Sequence, residues 1–462
     1  MNEHYEVMIV GGGKAGKTLA VDYAKAGKKV AMIEQGFIGG TCINVGCIPT
    51  KALIASSNML HTLDNLIQQD LVKIPEYQVN WQQIRQRKDN IVANMIEMNH
   101  KLFVNSGMDF ILGMAKFINE KTVEVTLTEQ QTKAIISADT VIINTGAKPF
   151  VPPISGLAQV PYHTSESILN LEQLPKQLII IGGGYIGLEF GQMFSRLGSK
   201  VTIIERSQTF IPLEDRDIAS MIFDTLTAEG IEIILGSENI HLENHAGKIS
   251  LSTTILGEST PRTIEGDTLL VAIGREPNTK DLGLANAGVN VDERGFVKVD
   301  EYLQTNVPHI WAVGDVKGGA QFTHLSFDDY RILKHNLAHP DNKRSITARQ
   351  IPYTVFIDPE LGRIGLNETQ AEKLGLAVKT VQLPVAAIPR AKTLGLTQGL
   401  IKVCIDLKTD QILGASVLCE NGGEIMGAVQ IAMLGKLSYM ALRDAMFAHP
   451  TLIEGFNQVF SV

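Results

Sequence analysis

An α/β fold built on two parallel-sheet units is predicted by three observations on the 462-residue sequence. The first is an internal repeat. Residues 7–35 read VMIVGGGKAGKTLAVDYAKAGKKVAMIEQ and residues 178–206 read LIIIGGGYIGLEFGQMFSRLGSKVTIIER. They align without a gap, so that Gly11, Gly13, Gly16, Gly27 and Glu34 fall on Gly182, Gly184, Gly187, Gly198 and Glu205. The second is the order inside each copy: apolar strand, glycine turn, helical stretch, then a second apolar strand ending in an acid, which is the order of a βαβ unit. The third is length, which exceeds what one hydrophobic core supports and implies three or four domains.

Each glycine in the repeat has a separate physical task. Gly11 or Gly182 allows the tight turn, and Gly13 or Gly184 lets backbone approach a pyrophosphate. Gly16 or Gly187 lets the helix pack on its strand, and the helix N-terminus offers N–H donors to the anion. The closing acid, Glu34 or Glu205, suits the two hydroxyls of an adenosine ribose. Two such units imply two dinucleotides. A carboxylate at Glu205 repels a ribose 2′-phosphate and favours NADH over NADPH, although Arg206 beside it is able to accept one.

Composition narrows the function further. Hydrophobic content of 44% with 19% charged residues describes an ordinary globular protein, and a net charge of −8 argues against nucleic-acid binding. The N-terminus runs from a polar head into a strand with no signal-peptide pattern, and no window approaches a membrane span. A cytoplasmic location is expected, with no membrane partner. Four cysteines make no disulfide framework for a secreted chain.

Two of the four, Cys42 and Cys47, stand in GGTCINVGCIPTK, residues 39–51. They reach each other only if the chain turns sharply, which Gly46 permits. Pro49 suits the first turn of a helix starting near Cys47, and a cysteine at a helix N-terminus forms its thiolate readily. A zinc site lacks its second ligand pair here. Buried packing remains the bland alternative, and a redox pair is the reading the spacing favours. Cys404 and Cys419 lie in strand-like segments and read as core residues.

This segment closely resembles the redox motif of the flavoprotein pyridine nucleotide-disulfide oxidoreductases, which include lipoamide dehydrogenase, glutathione reductase and mercuric reductase. The resemblance covers essentially the whole chain: INTGAKP at residues 143–149, LVAIGREPN at 270–278, TNVPHIWAVGDV at 305–316 and IPYTVFIDPELGRIGL at 351–366 all resemble family segments. It implies an α/β fold of two Rossmann-like dinucleotide-binding domains plus an α+β dimerisation domain. The expected boundaries are 1–147 and 276–345 for the two parts of an FAD-binding domain, 148–275 for an NAD(P)-binding domain, and 346–462 for dimerisation. FAD would contact Gly11, Gly13, Gly16, Glu34, Gly40, Thr41, Lys51, Gly146 and Asp315; NADH would contact Gly182, Gly184, Tyr185, Gly187, Glu205 and Gly274. Cys47 would face the flavin and Cys42 the acceptor. Lys51 would pair with Glu189 near the flavin, and Tyr185 would cover the nicotinamide pocket. His449 and Glu454, in FAHPTLIEGF at residues 447–456, would supply acid-base catalysis to the partner subunit's disulfide, which implies a homodimer.

Within the family, GKAGKTLA at 13–20, EDRDIA at 214–219, GGAQFTHLSFDDYRI at 318–332 and LPVAAIPRA at 383–391 look most like the RclA-type branch, associated with hypochlorous-acid resistance and Cu(II) reduction. The resemblance implies an NADH-dependent reductase of a metal ion or oxidised small molecule. A substrate metal would meet Cys42, Cys47 and His449, with His324 and Arg390 as further candidates for the site. Alternatives are a dihydrolipoamide dehydrogenase and, from another class, a non-catalytic flavin-binding sensor.

Overall fold

In the computed structural model, which describes residues 2–129 and 131–461, the first repeat opens a mostly parallel sheet. Strand Asn2–Val10 lies between Val30–Glu34 and Lys133–Ile143, all parallel, with Asp109–Asn119 outside the former and Ile310–Ala312 outside the latter. Antiparallel strand Thr122–Leu127 bridges Asp109–Asn119 and Lys133–Ile143. Side-chain alternation along the first strand fills two cores. Val7 and Ile9 pack with Leu19, Met32, Trp311 and Leu333 on one face, while Met8 and Val10 pack with Ile33, Phe117 and Ile310 on the other. Helices Lys14–Lys25 and Thr323–Ala338 cover the first of these faces and pack against each other.

The second repeat forms a four-stranded parallel sheet in the order Thr268–Val271, Gln177–Ile181, Lys200–Ile204, Glu232–Ile234. A three-stranded antiparallel sheet follows its last helix in sequence. The chain crosses between the two units twice, and the crossings pair with each other: Ala147–Pro149 runs antiparallel to Arg275–Pro277. The expected boundaries at 147/148 and 275/276 fall within this ribbon.

The remaining sheet is five-stranded and antiparallel, in the order Tyr353–Val355, Glu360–Gly365, Ile412–Cys419, Leu400–Asp406, Val378–Pro384, with helix Gly422–Leu434 packed on it. Cys404 and Cys419 are buried in two of these strands, as core residues. Helix Cys47–Gln68 ties the units together, because Leu53 and Ile54 share a core with Phe190 and Phe194 of helix Tyr185–Arg196. No helix among the described residues is long and apolar enough to cross a membrane.

Candidate functional site

One continuous cavity of about 1940 Å³ runs from the first glycine turn to the second. That is more than a single small ligand needs, since pockets for drug-sized molecules hold roughly 300–1,000 Å³. Gly11, Gly13, Glu34, Gly40, Thr41, Gly146 and Asp315 line one part, and Gly182, Gly184, Tyr185, Glu205 and Gly274 line another. Cys42, Cys47, Lys51 and Glu189 line it as well. Gly16 and Gly187 stand outside the lining: a Cβ on Gly187 would lie 2.0 Å from the Gly182 carbonyl oxygen, so these third glycines serve helix packing.

Gly46 makes the cysteine pair possible. A side chain there would meet the Thr41 carbonyl at 3.0 Å and Cys42 Cα at 3.2 Å, so any larger residue would crowd a chain folded this tightly. Helix Cys47–Gln68 then begins at Cys47, which faces the open cavity, while Cys42 is half-buried behind it. Both are free thiols that share a hydrogen bond. Donation from Cys42 lowers the Cys47 pKa to about 6, aided by Thr323 and the Lys51 charge, against burial and Glu189. The same bond, with burial, raises that of Cys42. Cys47 is therefore the thiolate at neutral pH and Cys42 its proton donor. Thr323 Oγ1 stands 3.5 Å from the Cys47 sulfur. Lys51 Nζ meets Glu189 Oε2 at 2.5 Å, and Glu189 Oε1 accepts the Phe356 N–H at 3.0 Å, which fixes the ion pair between two units of the fold.

The two acids at the ends of the repeats are held alike. Glu34 Oε2 accepts the Gly12 N–H at 2.7 Å and its Oε1 accepts those of Gly36 and Phe37. Glu205 accepts Gly183 N–H and Ser207 N–H, both at 2.7 Å. Backbone donors fix the orientation of both carboxylates, which line the cavity. Three further features fit dinucleotides. Thr145 Oγ1 and Arg275 Nε, on cavity-lining residues, are buried without a partner. A Cβ on Gly184 would project into open space. Partial burial raises the Asp315 pKa, opposed by Arg275, whose Nη2 lies 3.7 Å away; a half-buried carboxylate of this kind suits a hydroxyl-bearing ligand.

Several functional groups escaped sequence reasoning. Asn144 accepts the Gly16 N–H and donates to the Val313 carbonyl, clamping the first turn to a distant strand. The Tyr185 hydroxyl donates to Glu214 Oε1 at 2.5 Å, as does that of Tyr353, and Arg363 Nε donates to Oε2 at 2.9 Å. No local spacing signals these contacts, which join residues far apart in the chain.

The outlying candidates separate. His324 lines the cavity, its Nε2 2.7 Å from the Pro352 carbonyl and its ring stacked on Phe322; burial lowers its pKa. Arg390 lies on the short helix Pro389–Leu394, outside the cavity lining, so the structure does not bring it to the site. His449 Nδ1 meets Glu454 Oε2 at 3.0 Å, but its side chain is 70% exposed and also outside the lining. Within one chain His449 and Cys42 do not share the cavity. Among the described residues no cluster of three or more His, Cys, Asp or Glu side chains is arranged to hold a metal ion.

Residues 5–329 match the family described as pyridine nucleotide-disulphide oxidoreductase, and residues 351–460 match its dimerisation domain. The chain is 42% identical over 462 residues to the probable pyridine nucleotide-disulfide oxidoreductase RclA of Escherichia coli strain K12, covering 99% of each chain. It is 35% identical to a mercuric reductase of Staphylococcus aureus, over 98% of this chain and 81% of that one. The solved Cu(II) complex of the HOCl-induced flavoprotein disulfide reductase RclA from Escherichia coli superposes with a TM-score of 0.90 at 41% identity, over 99% of both chains. With paired thiols, two dinucleotide-type turns and full-length similarity in agreement, the chain belongs to the pyridine nucleotide-disulphide oxidoreductases, enzymes that work with FAD and a nicotinamide nucleotide.

Proposed function

We propose that this enzyme is an NADH-dependent reductase that delivers electrons through Cys42 and Cys47 to a metal ion of the Cu(II) type or to an oxidised small molecule, as a defence against reactive chlorine. The observation that carries the reading is the Cys47 thiolate, set by Cys42 and Lys51 in the same cavity as both glycine turns. The close similarity to a reductase solved with Cu(II) supports the choice of acceptor.

The roles follow from position. FAD is held by Gly11, Gly13, Glu34, Gly40, Thr41, Lys51, Gly146 and Asp315, and the nicotinamide nucleotide by Gly182, Gly184, Tyr185, Glu205 and Gly274. Bound FAD and NADH supply the two-electron chemistry that regenerates the dithiol. Oxidation of the Cys42 thiol and the Cys47 thiolate to their disulfide releases two electrons and one proton, enough electrons to reduce two Cu(II) to Cu(I). Thiolate and imidazole both suit copper, which is substrate here and not a resident ion. Glu205 disfavours a 2′-phosphate, hence NADH.

His449, exposed and oriented by Glu454, acts on the Cys42 sulfur of a second copy in a homodimer. The matched dimerisation domain supports this, as do Ile431, Leu434 and Met446, exposed by 67%, 60% and 98% in the single chain. A cytosolic setting suits a working dithiol.

The test is anaerobic turnover of the holoenzyme with NADH and four acceptors: Cu(II), Hg(II), lipoamide and glutathione disulfide. Preferred reduction of Cu(II), lost in Cys42→Ser, is expected. Strong lipoamide turnover would assign a dihydrolipoamide dehydrogenase instead, and no turnover with any acceptor would favour a sensor.

A further inference from the structure

Glu214 is used by neither glycine turn nor the thiol pair, yet its fully buried side chain receives three donors from two separate parts of the fold. Tyr185 follows directly on the second glycine turn; Tyr353 and Arg363 belong to the antiparallel sheet. The two tyrosine rings stack at 5.6 Å with their hydroxyls 3.3 Å apart, and Tyr353 stacks in turn on Phe322 at 5.8 Å. Tyr185 is thus held against a fixed aromatic wall by one hydrogen bond to a carboxylate.

Glu214 does not depend on Tyr185 for its pairing. When Tyr185 leaves, Glu214 keeps Tyr353 on Oε1 and Arg363 on Oε2, so no buried charge is left unpaired. Arg363 is itself 2% exposed, which anchors the carboxylate while the tyrosine moves. Gly184, directly before Tyr185, leaves open space at the cavity that both residues line. Opening breaks the bond to Glu214 and the stack on Tyr353, and lifts a half-buried ring from the edge of the core it packs against.

We infer that Glu214 is a positioning residue that latches Tyr185 over the second nucleotide site and sets nucleotide affinity through the closed-to-open equilibrium. The inference rests on the reading that this site binds a nicotinamide nucleotide and that Tyr185 covers it. A nucleotide that binds only the open state has its affinity reduced by the fraction of molecules that are open. Neither Tyr353 nor Arg363 moves in this scheme; they hold the catch in place.

The experiment is calorimetric titration of oxidised, FAD-loaded enzyme with NAD+. Tyr185→Phe deletes only the latching hydroxyl and keeps the ring and its stack. Because hydrogen bonds to charged groups carry net weight, NAD+ is expected to bind this variant about threefold to tenfold more tightly than wild type. Glu214→Gln should shift binding in the same direction. The double variant should bind no more tightly than the stronger single one, since both changes release the same catch. A merely structural role for Glu214 would not produce that non-additivity. A tightening of less than about threefold in Tyr185→Phe, weaker binding, or additive effects in the double variant overturns the latch. Failure of the wild-type holoenzyme to bind NAD+ or NADH at all would instead overturn the nucleotide-site reading.

Discussion

Cys47 shows how few neighbours are needed to set the state of one sulfur. Its thiolate is stabilised first by the Cys42 thiol, then by Thr323 and the Lys51 charge, while burial and Glu189 oppose them. With a pKa lowered to about 6, the thiolate is present above that pH and is lost as pH falls through it. The long-wavelength absorbance of reduced, FAD-loaded enzyme, which reports a thiolate beside flavin, should fade on acidification with a midpoint near that value and be absent in Cys47→Ser. Lys51→Met removes a stabilising charge and leaves that of Glu189, so the midpoint should rise by roughly one pH unit. A midpoint that stays put would show that Lys51 does not act on this sulfur. That the two cysteines stand close together at a helix start was legible from the motif. The Thr323 contact was not, since Thr323 lies on a distant segment that only the folded chain brings near.

At the scale of the element, two glycines of one turn have opposite fates. A methyl on Gly187 would sit 2.0 Å from the Gly182 carbonyl oxygen, whereas one on Gly184 would project into the cavity. Overpacking of this kind costs about 1–3 kcal/mol, so Gly187→Ala should lower the thermal midpoint by roughly 5 °C. Gly184→Ala, at φ −76°, should keep its midpoint and instead weaken NADH binding about tenfold, because backbone no longer approaches the pyrophosphate. If both variants were equally unstable, the division of labour between the two glycines would be wrong. The strands and turns of these units were readable because periodicity and glycine spacing are local. Asn144, which ties Gly16 to Val313, and Glu214 with its donors Tyr353 and Arg363 were not, because nothing local marks a partner more than a hundred residues away.

Taken as a whole molecule, the chain places its paired cysteines in a cavity and its candidate acid-base histidine on the surface, and the proposed role of that histidine joins them across two copies. A mixed dimer of one Cys42→Ser chain and one His449→Ala chain checks this. If the histidine serves the neighbouring copy, each variant homodimer is inactive, while the mixed dimer keeps one complete site and recovers about half of wild-type turnover. If it served its own chain, the mixed dimer would be as inactive as its parents. The resemblance in the sequence implies that a second copy completes the site; Arg390, suggested on the same ground, lies on the short helix Pro389–Leu394 and does not line the cavity of its own chain.

The strand Ile310–Ala312, which seals the first sheet against Lys133–Ile143, is supplied after the whole second sheet has been laid down. Translation proceeds from the N-terminus, so the module begun first is the one completed last. A ribosome-bound chain with residues up to about 290 outside the exit tunnel would hold every strand of the second parallel sheet but not the closing edge of the first. Protease resistance of stalled nascent chains should therefore appear in the inserted module before it appears in residues 2–143, and flavin loading should wait until the strand at 310–312 has left the exit tunnel.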